Sequence, residues 1–123
     1  MATRHRGRMK VKAPLAIQLR IAATDADIAE LGKHCELFFG RDKRLARIDI
    51  PTSESDRQSF LPRLQTALGE VRSDESLSNS QIDVAFDVHD GEYALTFRIP
   101  DDLVRFAGEL GIPFDVSLYP TAD

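Results

Sequence analysis

The chain has 123 residues, 42% of them hydrophobic and 29% charged, with a formal net charge of −4. That length fits one domain with one core, and that balance excludes wholesale disorder. A single cysteine excludes an intrachain disulfide. No apolar run approaches the roughly 20 residues of a membrane helix, so the chain reads as soluble and cytoplasmic.

The charge is unevenly placed. Arg4, Arg6, Arg8, Lys10 and Lys12 fall in the first twelve residues, where there is no acid. Removing those five from the 16 basic residues leaves 11 against 20 acids, so residues 13–123 carry −9. Residues 1–12 read as a flexible basic tail and residues 13–123 as a single domain, with Met9 as a second plausible start. An acidic body repels nucleic acid and attracts basic partners.

Leu15, Ile17, Leu19 and Ile21 alternate with Ala16, Gln18, Arg20 and Ala22, which predicts a half-buried strand. Thr24 is placed to cap a helix whose first turn holds Asp25 and Asp27. Ile28, Leu31, Cys35 and Phe38 recur at helical spacing, with Gly40 as the stop. Residues 45–50 predict a short strand near a sheet edge, ended by Pro51. Leu61, Leu64, Leu68 and Val71 mark the face of a second helix. Pro62 is most comfortable in a first turn, so that helix is expected to start near Ser59, a longer helix through Pro62 being the alternative.

Two alternating runs, IDVAFDV and YALTFRI, flank Asp90-Gly91, the strongest two-residue hairpin signal. The implied register pairs Val88 with Tyr93, Phe86 with Leu95, Val84 with Phe97 and Ile82 with Ile99, and sets Asp83 opposite Arg98. A third helix follows, with Asp101 or Asp102 at its start, Leu103, Phe106, Ala107 and Leu110 on its buried face, and Gly111 just past its end. Phe114, Val116 and Leu118 predict a last strand. The order is β-α-β-α-β-β-α-β. It makes an α+β two-layer sandwich, ferredoxin-like in spirit, with a mixed sheet carrying its helices on one face and leaving a polar face open.

Residues 95–119, LTFRIPDDLVRFAGELGIPFDVSLY, resemble the C-terminal signature of a small bacterial family, domain of unknown function 4279. A strand, a leucine-bearing helix, an ELGI stop and a closing FDVSLY strand carry the likeness. The preceding hairpin and the leading strand with its acidic-capped helix are similar as well. Residues 41–80 match in outline alone, and the tryptophan common in the N-terminal half of such proteins is absent. The resemblance implies a small cytoplasmic bacterial domain without established enzymatic residues, of a kind suspected of immunity or accessory roles beside secreted toxins.

No catalytic constellation stands out. Asp87 and His89 share a strand face with Asp83, and Glu92 lies across the turn, a set that could hold a divalent ion but reads better as charges keeping a hairpin tip soluble. His34 and Cys35 are adjacent on a helical stretch and point about 100° apart, and Cys35 falls on the apolar stripe. No serine sits at a strand–helix elbow, and the glycines form no phosphate loop. Neither a cofactor nor a metal is expected.

What the chain offers is a surface. Arg20, Asp83, Asp87, Asp90, Glu92, Arg98, Asp115 and Tyr119 are the expected protein-binding residues of the open face and hairpin tip. The reading is a non-enzymatic protein-binding module of immunity type, its acids meeting a basic toxin domain. The alternatives are a structural or accessory protein that dimerises through the open sheet face, and a small ligand-binding domain with a pocket between the helices and residues 52–60. Nucleic acid and membrane are not expected partners.

Overall fold

The computed structural model describes residues 10–41, 45–71, 79–89 and 95–121. Its elements are β1 (Lys10–Lys12), β2 (Ala16–Ala22), α1 (Asp25–Gly32), β3 (Phe38–Phe39), β4 (Leu45–Ile50), α2 (Glu54–Gly69), β5 (Gln81–His89), β6 (Leu95–Phe97), α3 (Asp101–Leu110) and β7 (Phe114–Thr121). Five strands form a mixed sheet in the order β3-β4-β2-β5-β7, and β1 pairs with β6 in a small parallel sheet. The expected two-layer α+β architecture is the one that forms.

Alternation builds the central sheet. β2 is antiparallel to both neighbours, with Leu19 opposite Ile48 on β4 and Ile82 on β5. Ile17, Leu19, Ile21, Ala46, Ile48, Ile50, Ile82, Val84 and Phe86 lie on one face and are buried. Leu31 from α1, Leu64 and Leu68 from α2, and Leu103 and Phe106 from α3 close over them in one cluster. Each such aliphatic side chain contributes roughly 1.5–3 kcal/mol on full burial. β5 then runs parallel to β7, with α3 lying between them in sequence.

Thr24 and Gly111 end their helices as the sequence signals predict. Thr24 Oγ1 accepts from the Asp27 N–H at 3.2 Å. Gly111 takes the left-handed conformation, φ 67°, as the C-terminal cap of α3. At the start of α3 the cap position is Pro100, which offers no side-chain acceptor, and both acids fall in the first turn. Asp102 Oδ1 nonetheless accepts the Leu103 N–H at 2.9 Å.

Four expectations are corrected. α1 stops at Gly32, and Phe38–Phe39 instead pair with Arg47 and Ala46, where the Arg47 guanidinium sits 4.9 Å from the Phe38 ring centre. Backbone pairing and this stacking outweigh the helical spacing, which is shared between a helix, a turn and a strand. α2 starts at Glu54 with Ser53 as its cap and carries Pro62 inside. Pro62 is exposed, so the carbonyl it leaves without a partner can face water.

The hairpin register does not form among the described residues. Over Ile82–Ala85 both edges of β5 are taken, by β2 and by β7, so Phe97 and Ile99 have no ladder to join. β6 pairs with β1 instead, though the Phe86 and Phe97 rings still meet edge-on at 5.0 Å. Asp90-Gly91 and Tyr93 lie outside the described residues. The last three residues of the expected tail, Lys10–Lys12, are a strand of the fold.

Candidate functional site

The open face of the sheet is laid out by β2, β5 and β7, whose polar residues alternate with the core residues. Gln18 lies opposite Asp83 and Arg20 opposite Gln81. On the other side Asp83 meets Asp115, Ala85 meets Ser117 and Asp87 meets Tyr119. Arg20, Asp83, Asp87, Asp115 and Tyr119 are thus brought onto one surface, as expected. Asp90 and Glu92 lie outside the described residues.

The charges on this surface are satisfied within the chain. Arg20 Nε is 2.6 Å from Asp83 Oδ2, and Asp83 retains only 9% exposure. Gln81 Nε2 donates to Asp83 Oδ1 and to Asp115 Oδ2, both at 3.1 Å. Asp87 is 2.7 Å from His89 Nε2 and 3.6 Å from Lys12 Nζ. Partial burial works to raise the Asp87 pKa, but the His89 hydrogen bond, its own backbone and the Lys12 and His89 charges together leave it lowered. Asp83 is therefore an anchor of the sheet, and the more accessible members are Arg20, Asp115 and Tyr119.

Arg98 is not part of this group. It follows β6 and lines a cleft of about 300 Å³ with Val11, Lys12, Glu54, Arg57 and Asp102. The cleft reaches the stretch 52–60, where a pocket was one expectation. Its wall is built on Arg57, only 3% exposed, whose Nε donates to Asp102 Oδ2 at 2.8 Å and whose Nη1 donates to the carbonyls of Pro51 and Thr52 at 3.3 and 2.8 Å. This ion pair ties the start of α2 to the start of α3. Three cations (Lys12, Arg57, Arg98) and three anions (Glu54, Asp101, Asp102) line the cleft, so its formal charges balance.

The edge strand departs most from expectation. Val116 and Leu118 belong to the core face by their register with Val84 and Phe86, yet each is 51% exposed. The helices cover β5 and stop short of β7. Ile82 N–H donates to Pro113 O at 2.9 Å. In a parallel ladder this directs the N–H and C=O groups of Asp115, Ser117 and Tyr119 towards β5, and those of Phe114, Val116 and Leu118 outward. Pro120 falls on the outward series, where its missing N–H costs the sheet nothing. β7 is a long edge with one charge, Asp115, and no lysine to blunt it.

A further cluster was not legible in the sequence. Glu30 near the end of α1, His34 just beyond it, and Glu70 at the end of α2 bring three ligand-type atoms within 4.8 Å of one another. Glu30 and His34 stand four apart, a local hint, but Glu70 is 36 residues from His34 and no spacing rule connects them. Hydrogen bonds with Lys33 and then Glu70 hold the Glu30 carboxyl below its ordinary range. Cys35, the neighbour of His34, is a partly buried thiol whose pKa is raised by burial, opposed by the charge of Arg63.

No helix among the described residues is long and apolar enough to cross a membrane. No family model, curated protein or solved structure matches the chain.

Proposed function

We propose that this protein is a non-enzymatic binding module for another protein, and that it engages its partner through β7 and the adjoining strip of open face. The observation that carries the reading is the exposure of Val116 and Leu118 on an eight-residue strand whose outer hydrogen-bonding groups meet no neighbouring strand among the described residues. An added strand would satisfy those groups and cover those side chains together. Tyr119, 55% exposed, and Asp115 border the same edge on the polar face. An immunity-type role beside a basic toxin domain fits the acidic body, with the net charge steering encounter and β7 making the contact.

The test is calorimetric titration with the product of the adjacent gene. Val116→Lys combined with Leu118→Lys should weaken binding at least a hundredfold while circular dichroism stays unchanged. Undiminished affinity in that variant would remove β7 from the interface.

Self-association is the second reading, favoured by the register of the same strand. Across a two-fold axis perpendicular to the sheet, Ser117 can face Ser117 of a second copy. Val116 then faces the second copy's Leu118, and Asp115 faces its Tyr119, so no like charges meet. The open-face dimer suggested by charge alone is less favoured, because Arg20 and Asp83 already pair within one chain. Sedimentation equilibrium should show a dimer that Val116→Lys dissociates; a wild-type monomer at millimolar concentration would exclude it.

A further inference from the structure

The ends of α1 and α2 converge, and both are built against electrostatic convention. The C-terminus of a helix carries partial negative charge and favours lysine, arginine or protonated histidine. Neither α1 nor α2 has a basic residue in its last turn. Instead Glu30 lies in the last turn of α1 and Glu70 is the capping residue of α2, so two carboxylates add to two negative helix ends. Lys33 offers one cation, at 3.1 Å from Glu30 Oε2, from an exposed position. An exposed pair of this kind contributes little stability and is readily displaced.

The donors are held by backbone bonds, which preorganises them. Glu70 N–H donates to the carbonyl of Ala67 and Val71 N–H to that of Leu68, both at 3.2 Å. His34 N–H donates to Leu31 O at 3.0 Å. His34 Nε2 lies 2.9 Å from Glu70 Oε2. Donors around a zinc ion stand roughly 3–3.5 Å apart, given metal–ligand distances of about 2.0–2.2 Å, so a turn of one accessible carboxylate completes the set. An open cleft of about 650 Å³, lined by Glu30, Gly69, Glu70 and Val71, leaves room for water on the remaining positions.

We propose that Glu30, His34 and Glu70 form a binding site for one divalent transition-metal ion. One imidazole and two carboxylates match the preferences of Zn²⁺, and exclude the all-oxygen shell that Ca²⁺ and Mg²⁺ prefer. The ion neutralises the two helix ends and clamps α1 to α2. The site is independent of β7, so it stands or falls separately from the binding-module reading.

The experiment uses the tag-free full chain, stripped with chelator and titrated with Zn²⁺ by calorimetry and with Co²⁺ by visible absorption. One equivalent should bind, with the ligand-field bands of a nitrogen–oxygen site and a raised thermal midpoint. Glu70→Gln and His34→Ala should each weaken binding about 10–100-fold with unchanged circular dichroism. Lys33→Ala should bind as tightly as the parent or tighter, and the double variant His5→Ala, His89→Ala should bind normally. Absence of stoichiometric uptake, or uptake that survives both ligand substitutions, would overturn the proposal. Loss of uptake in the His5, His89 variant would place the ion elsewhere and overturn it equally.

Discussion

Arg57 brings a guanidinium into the fold because one carboxylate and two backbone carbonyls converge on it. Asp102→Ala leaves that charge with its carbonyls alone, which should destabilise the protein by about 2 kcal/mol in urea unfolding, while Arg57→Met should cost less. Asp87 makes a prediction about acid. Its pKa is lowered in the fold, so its ionised form contributes stability that is complete above the ordinary carboxylate range, about pH 4, and is lost as the pH falls through the folded value. The thermal midpoint of Asp87→Asn should therefore fall less steeply than that of the parent between pH 6 and pH 3. At this scale the sequence was a fair guide to identity and a poor one to pairing. Arg20, Asp83, Asp87, Asp115 and Tyr119 share a surface because alternation places them there. That Asp83 would meet Arg20 and not Arg98 depended on which strand took the edge of β5.

Among the elements, those whose signals are local were legible. β2, β4, α3 and β7 follow from alternation, amphipathic spacing and the glycine at position 111. A Cβ on Gly111 would touch nothing within 4 Å, so the cost of Gly111→Ala is the left-handed backbone alone, roughly 1 kcal/mol by chemical denaturation. Ser53 accepts the Asp56 N–H at 3.5 Å, and Ser53→Ala should cost about 0.5–1 kcal/mol in the same assay. Pro62 alone argued for a start near Ser59, but its penalty is smaller where the freed carbonyl meets water. α1 was overextended for the opposite reason. Its apolar spacing continues to Phe38, but the competing strand gains its partners from β4, which no local pattern announces.

For the whole molecule, the misread parts are those settled by long-range competition. Asp90-Gly91 argued for a local hairpin, yet β2 and β7 take both flanks of β5 over Ile82–Ala85. The strand left over, β6, is held by β1, so the basic N-terminal stretch contributes to the fold through residues 10–12. Deleting residues 1–12 should remove that ladder together with the Lys12–Asp87 pair, and lower the thermal midpoint by on the order of 5 °C. The three-residue cluster at the helix ends was invisible for the same reason, since only the packing of α2 on α1 places Glu70 beside His34.

The two borders of the five-stranded sheet are unequal: β7 has eight residues and β3 only two. A sheet with two long borders can recruit copies at both and grow without limit. Here, among the described residues, a two-fold union through β7 would use the long border of each copy and leave a two-residue strand at either extremity. Growth would stop at ten strands. If β7 receives a partner as proposed, the same inequality would set a ceiling on assembly, and electron microscopy of concentrated protein should show discrete particles and no fibrils.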